Sequence, residues 1–271
     1  MIIKIKLPFL LRALRKLNFP RKLGVLERLY GWALNRHGVT WVDCSNDIEW
    51  KLDLSDSCHR WIVYGNYEGG EGIELAKQFL QNGGVYVDSG ANIGQWLLFL
   101  GHLPNIRALE FEPVRSERSW LEECVSLQDD WNVEIFDFGL SSKDTEVEIQ
   151  LDGPRSTLNM DWYEGKNLAR ETVSLKRLDA TLNELKVETV DFWKLDTEGA
   201  EKEALIGAED YLATQKIRCI YFECNPANYS AIKKLLESFD YQIFELHKGK
   251  LTPKIDTEIA FTQDLVTMPN Q

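Results

Sequence analysis

The segment Val85-Tyr86-Val87-Asp88-Ser89-Gly90-Ala91-Asn92-Ile93-Gly94 is a short apolar run that ends in an acid and turns at a glycine. The residues after it suit a helix, expected over Asn92–His102. In an open α/β sheet, a turn of this kind lies at the carboxyl ends of the strands, where ligands bind. Gly90 has no Cβ, so a ligand can come close to its backbone, and the turn can take positive φ. A helix opening there would aim free N–H groups and partial positive charge at a carboxylate or phosphate. The next two strand-like runs, Ile106–Glu112 and Val133–Phe138, carry acids at their ends. Glu112 stands 18 residues after Gly94, about where an acid accepts hydrogen bonds from both hydroxyls of a ribose. Asp137 is placed to accept from an adenine amino group. Glu110 is expected to point to the face opposite Glu112. Three acids at successive strand ends, the first beside a glycine turn, describe a nucleoside pocket.

Two cofactors compete for that pocket. A dinucleotide calls for G-x-G-x-x-G, whereas this turn has only Gly90 and Gly94, with Ser89 in place of the first glycine. Asp88 puts negative charge where a pyrophosphate would lie. A carboxylate is better matched to an ammonium group, which S-adenosylmethionine has.

A second acidic segment, Lys194-Leu195-Asp196-Thr197-Glu198-Gly199-Ala200-Glu201, follows the run Val190–Leu195. A reaction that removes a proton from its substrate needs a group to take it. Asp196 at a strand end and Glu198 at the start of the next helix are the candidate bases. Glu201 reads as a first-turn acid favoured by the helix dipole. Glu223 and Asn225 could add oxygen ligands for a divalent ion, but no His–carboxylate spacing supports a metal, and none is expected. His59, in Ser57-Cys58-His59-Arg60-Trp61, is a third candidate base. Glu68, with Tyr67 and Glu71, lies in a glycine-rich loop suited to cover a cofactor. Arg155-Ser156-Thr157 could meet an acceptor. Trp32, Trp41, Trp50, Trp61 and Trp96 suit either sugar stacking or a core.

Taken together, VYVDSGANIG (85–94), EFEP (110–113), FDFGLSS (136–142), LKRLDATLNEL (175–185) and DFWKLDTEGAEKEALIGA (191–208) resemble the FkbM-type family of S-adenosylmethionine-dependent methyltransferases. The resemblance covers roughly residues 85–225. It implies a class I methyltransferase fold and methyl transfer to a hydroxyl of a sugar or natural product. It carries the cofactor pattern onto Asp88, Gly90, Asn92, Gly94 and Glu112, and less closely onto Asp137. Ser89 stands where valine is commoner. Residues 1–80 carry little of the family pattern and form the expected substrate-recognition region.

These residues need a scaffold. From residue 85 onward strand-like and helix-like runs alternate, which implies a doubly wound, mostly parallel sheet with helices on both faces. Helices are expected over Val114–Leu127, Ala200–Leu212 and Asn228–Phe239, and strands over Ile217–Glu223 and Tyr241–Leu246. Glu146–Leu151 and Thr172–Leu175 alternate polar and apolar residues and form an inserted β-hairpin, with Gly153-Pro154 as a turn between them. The division is a cap over residues 1–80, helical with some strand, and a cofactor-binding domain over 81–271.

The 271 residues carry 31 Lys plus Arg against 43 Asp plus Glu, a net charge of −12. That excludes a general nucleic-acid binder, which needs a positive face. Residues 1–30 nevertheless hold eight basic residues and one acid, Glu27. There, Leu10, Leu14 and Leu17 repeat at helical spacing, giving either a cap helix packed on the main domain or a helix lying on anionic lipid. No apolar run approaches the roughly 20 residues of a membrane span. Five dispersed cysteines fit a reducing, cytoplasmic setting. Two other classes fit the architecture: a nucleotide- or NAD-binding enzyme, and a non-catalytic module that keeps the pocket. Oligomeric state is not read from the sequence.

Overall fold

The computed structural model describes residues 4–17, 19–44, 48–65, 70–151, 168–255 and 258–270. The chain divides into two compact units. One is Met1–Gly70 with Trp120–Asp130, and the other is Glu71–Ser119 with Trp131–Gln271.

The first unit contains β1 (Lys4–Ile5), α1 (Phe9–Leu14), α2 (Lys22–Leu26), α3 (Trp32–Leu34), β2 (Val39–Asp43), β3 (Glu49–Asp53) and α4 (Ser57–Val63). Its sheet runs β1-β2-β3, with β1 parallel and β3 antiparallel to β2. A π-helical turn, Glu27–Gly31, joins α2 to α3. Gly31 leaves room in it for the Glu27 carboxylate, since a Cβ there would sit 2.6 Å from Glu27 Oε1. The Glu27 carboxylate crosses the bare glycine to take hydrogen bonds from Arg60 (2.5 Å) and the Tyr64 hydroxyl (2.9 Å). Asp56 caps α4 by accepting from the Cys58 N–H.

The second unit opens with α5 (Gly70–Leu80), β4 (Gly84–Ser89), α6 (Leu97–Leu100), β5 (Ile106–Phe111), α7 (Arg115–Val125, whose last residues fall in the first unit) and β6 (Val133–Phe136). It continues through β7 (Phe138–Leu140), β8 (Thr145–Gln150), β9 (Arg170–Lys176), α8 (Leu178–Glu184), β10 (Phe192–Leu195), α9 (Glu201–Ile206) and α10 (Glu209–Ala213). It ends with β11 (Ile220–Cys224), α11 (Pro226–Ser238), β12 (Tyr241–His247), β13 (Lys250–Pro253) and β14 (Gln263–Pro269).

Eight of these strands form one sheet in the order β13-β12-β14-β11-β10-β4-β5-β6. Neighbours from β11 to β6 are parallel, and β14 inserts antiparallel between β11 and β12. The chain winds outward from β4 to β6, then restarts on the other side of β4 at β10. The crevice between β4 and β10 is therefore the switch point of the sheet, where ligands bind in this architecture. Apolar residues fill both faces of the central strands, as a sheet covered on both sides requires. One face presents Tyr86, Phe192 and Tyr221 to Phe79 and Trp96. The other presents Val87, Leu109, Trp193, Leu195 and Phe222 to a core built with Leu182, Leu205, Leu212, Tyr229 and Ile232. Each fully buried side chain of this size contributes about 1.5–3 kcal/mol relative to exposure. Asn225 caps α11 by accepting from the Asn228 N–H (3.0 Å), with Pro226 in the first turn.

Several expected elements take other bounds. The stretch Asn92–His102 is helical only over α6, after a series of turns. Val133–Phe138 is two strands, because the chain leaves the main sheet at Asp137. Ala200–Leu212 breaks into two helices at Gly207, where a Cβ would lie 2.1 Å from the Ser141 carbonyl oxygen. The inserted hairpin is present as β8 and β9 and is extended by β7 into a three-stranded sheet, β7-β9-β8. Its expected turn at Gly153-Pro154 lies outside the described residues. The units divide at Gly70, so α5 belongs with the sheet domain.

Candidate active site

Cross-strand register assembles the site. Glu110, Asp88, Lys194 and Tyr221 are consecutive partners across β5, β4, β10 and β11, so their side chains share one face. Three of them, Glu110, Asp88 and Lys194, are titratable groups buried in a row. Asp88 accepts a hydrogen bond from the Tyr86 hydroxyl (2.8 Å) and pairs with the Lys194 ammonium at 3.1 Å. Glu110 is fully buried with neither carboxyl oxygen hydrogen-bonded. Burial, then the neighbouring Asp88, push its carboxyl well above the usual range, which favours the neutral acid. Glu110 belongs to the Asp88 row, whereas Glu112 lies beyond the last residue of β5.

Lys194 is the residue that sequence reasoning missed. Its ammonium binds Asp88, donates to the Gly90 carbonyl (2.8 Å) and reaches the Asp196 carboxylate at 3.6 Å. It thereby ties the glycine turn to the acidic segment. The signal was its place near the end of β10, two residues before the acid that follows the strand end. Asp88 is almost wholly buried, so the ammonium beside it is that of Lys194 rather than one reaching in from solvent.

The reason for Gly90 also changes. Its φ is +76°, and a Cβ would lie 1.9 Å from the Asp196 carbonyl oxygen. The group that comes close to its backbone is the end of β10 itself. Ser89 points to the opposite face, where its hydroxyl accepts from the Trp193 indole (2.8 Å). Asn92 (φ +52°) uses its side-chain oxygen to accept from the Ile93 N–H (2.7 Å). The Gly94 N–H closes the turn on the Ala91 carbonyl (2.8 Å), with φ +78°.

Glu112 stands just past β5, 5% exposed. One of its oxygens accepts from the Asn92 N–H and the other from the Val114 N–H, each at 2.8 Å. Burial pushes its carboxyl up to about 7, against the lowering effect of those two bonds. Each oxygen keeps acceptor capacity, since an ionised carboxylate has about four lone-pair sites. A pair of ribose hydroxyls would complete it. Asp137 is exposed at the break between β6 and β7.

Asp196 keeps 45% of its side chain exposed. Glu198 is in a loop ahead of the helix rather than at its start, with left-handed backbone (φ +52°). The helix begins at Glu201, whose buried carboxylate gathers that loop by accepting from the Thr197 N–H (2.9 Å), the Thr197 hydroxyl (3.1 Å) and the Gly199 N–H (3.0 Å). Half-buried Glu223 adds a fourth acid. Burial, then Asp196, Glu198, Glu201 and Asp264, push its carboxyl up to about 8. Among the described residues no group of three or more His, Cys, Asp or Glu is arranged to hold a metal ion.

His59 belongs to the first unit, and its ring is buried. Its Nδ1 accepts from the Asp53 N–H (2.9 Å), its edge meets Trp120, and burial lowers its pKa. Those contacts are structural. Glu68 and Tyr67 lie outside the described residues, as does Arg155-Ser156-Thr157. Glu71 accepts from the Lys248 N–H (2.9 Å). Trp41, Trp50 and Trp96 are core residues, whereas Trp32 is exposed.

The model of the methyltransferase FkbM domain matches residues 88–243, more than half of the chain and the stretch that holds the glycine turn, Glu112, Lys194 and Asp196. The chain belongs to the FkbM methyltransferase family. The strand order and the antiparallel β14 give this FkbM methyltransferase the class I architecture that the family implies. A relative in Pseudomonas aeruginosa, the AMB antimetabolite synthetase AmbE, is 28% identical over 176 residues, covering 51% of this chain. The chain spans only 8% of that protein's length. Similar solved structures include the METTL16 methyltransferase domain (13% identity, 97% of this chain and 82% of that one, TM-score 0.46). Another is the precorrin-6y C5,15-methyltransferase of Geobacter metallireducens (11% identity, 75% and 89%, TM-score 0.45). A putative methyltransferase of Streptococcus mutans, solved in complex with SAH, is 12% identical, with 72% and 95% covered and a TM-score of 0.39.

Proposed function

We propose that this protein is an S-adenosylmethionine-dependent O-methyltransferase that modifies a hydroxyl of a sugar, glycan or natural product in a cytoplasmic setting. The observation that carries this reading is the close approach of the Asp196 backbone to Gly90, which sets the cofactor turn and a half-exposed carboxylate side by side at the switch point. S-adenosylmethionine would supply an electrophilic methyl group on a sulfonium. Glu112, a buried carboxylate with unused acceptor capacity, would hold the ribose, and Asp137 the adenine amino group. Asp196 would take the acceptor's proton, with Glu198 in the adjoining loop. Glu223, whose carboxyl is pushed up to about 8 by burial and the neighbouring acids, adds a mostly protonated acid beside the same segment. The similarity to an antimetabolite synthetase supports a natural-product acceptor, and five free cysteines fit a reducing compartment.

The test is calorimetric titration with S-adenosylhomocysteine beside NAD. Micromolar binding of the former alone is expected, weakened at least about tenfold by Glu112→Ala, since hydrogen bonds to a charged group contribute about 1.5–3 kcal/mol. Glu112→Gln keeps an acceptor for only one of the Asn92 and Val114 N–H groups, so thermal unfolding of the Ala variant is the check that it is folded. Binding of NAD, or of neither ligand, overturns the reading.

A further inference from the structure

We propose that α1 and the helical run Lys22–His37 form a docking face for an anionic lipid surface. The sequence leaves open whether the basic N-terminal helix packs inward or lies on lipid. The structure turns the expected stripe around. Leu11 is the fully buried residue of α1, and Leu7 is buried before it, while Phe9, Leu10 and Leu17 are exposed by 79, 57 and 56%. Within α1, Phe9, Leu10 and Ala13 span about 100° of arc, opposite Leu11, and exposed Leu17 follows the helix. Arg15 is turned inward, donating to the Asp43 carbonyl (2.7 Å). Exposed Arg12 and Lys16 flank the apolar arc.

The second run repeats the arrangement. Leu26, Gly31 and Leu34 are buried, whereas Val25, Leu29 and Trp32 face solvent together with Arg28 and Arg36. The Arg36 guanidinium lies over the Trp32 ring at 4.5 Å. Buried Lys22 joins the two segments by donating to the Arg15 carbonyl (2.6 Å). Among the described residues, seven of ten exposed large hydrophobics fall between Phe9 and Val39. Residues 1–40 hold nine basic residues and one acid, and that acid, Glu27, is paired with Arg60.

Exposed apolar side chains interleaved with Arg and Lys, on a chain of net charge −12, match the headgroup region of an anionic bilayer. The apolar residues enter the acyl boundary, tryptophan sits at the interface, and the basic groups meet phosphate. A second copy of this chain would bring like charges together. A soluble polyanion would leave Phe9, Leu10 and Leu29 uncovered. A lipid surface satisfies both sets, and it would hold the enzyme beside a membrane-borne acceptor.

The test is co-sedimentation of the full chain with vesicles of phosphatidylcholine alone and of phosphatidylcholine mixed with phosphatidylglycerol. Binding is expected to the mixed vesicles and to weaken as salt rises. The triple variant Phe9→Ser, Leu10→Ser, Trp32→Ser should lose at least about tenfold in partitioning, with its melting temperature and S-adenosylhomocysteine binding unchanged. Failure to bind the mixed vesicles, or equal binding of variant and parent, overturns the proposal. So does a parent dimer that the variant abolishes without any vesicle binding, which would assign the face to a second copy. The titration of the cofactor site is independent of all these outcomes.

Discussion

At the scale of single residues, the site is governed by carboxyls whose charge the fold makes costly. Glu112 shows the consequence most directly. Its carboxyl is pushed up to about 7 by burial, so near neutral pH a sizeable fraction of the unliganded protein carries it protonated. Ribose hydroxyls donate to the ionised form, so binding favours loss of the proton. S-adenosylhomocysteine should therefore bind more tightly as pH rises through about 7, with protons released to buffer. Calorimetry in buffers of different ionisation enthalpy checks this, and affinity that is flat from about pH 6 to about pH 8 would refute it. Asp88 and Glu112 were legible as acids at strand ends, because type and spacing alone place them there. Lys194 was not singled out, because its role depends on which strands are neighbours. Only the pairing of β10 with β4 brings its ammonium to Asp88 and to the Gly90 carbonyl.

At the scale of elements, the glycines mark where one element passes close to another. Gly207 separates α9 from α10 because the Ser141 carbonyl occupies the space its Cβ would need. Gly207→Ala should cost about 1–3 kcal/mol, as inserting a carbon into a packed site does. Gly24, inside α2, has no atom within 4 Å of the point where a Cβ would stand, so Gly24→Ala should stabilise by roughly 0.5–1 kcal/mol. Denaturant midpoints of the two variants should move in opposite directions, and a shared sign would contradict this account. The parallel strands and most of α11 were legible from apolar runs and helix-like runs, whereas its Asn225 cap was not. The break of the long helix at Gly207 was not, because a strongly helical composition gives no sign of a carbonyl arriving from residue 141. The strands β13 and β14 were also not anticipated. β14 takes its central place by inserting antiparallel between β11 and β12, and that pairing has no local signature.

At the scale of the whole molecule, buried carboxyls and neutral histidines oppose each other in stability. The carboxyls of Asp88, Glu110, Glu112, Asp179, Glu201 and Glu223 are all raised, chiefly by burial. A raised carboxyl stabilises fully below its unfolded value, about 4, and loses that contribution as pH climbs through its folded value. Glu27, lowered chiefly by its hydrogen bond from Arg60, acts in the other direction and loses its contribution in acid. His59 and His102, lowered by burial, lose theirs as pH falls below about 6.5. Glu110→Gln removes one contribution of the first kind. The variant should match the parent near about pH 4 and become progressively more stable than it toward about pH 8, as read by urea unfolding at both values. An equal difference at the two values would show that Glu110 is not held neutral. The sequence by itself determined the class of fold, the glycine turn, and the acids at strand ends, because those depend on residue type and on short-range periodicity. Tertiary structure alone decided the rest. Strand register gave Asp88 its lysine, the approach of β10 gave Gly90 its purpose, and packing committed His59 to the Asp53 backbone. The same packing selected Leu11 over Leu10 and Leu17 for burial, because a helix can bury only the face that its neighbours cover.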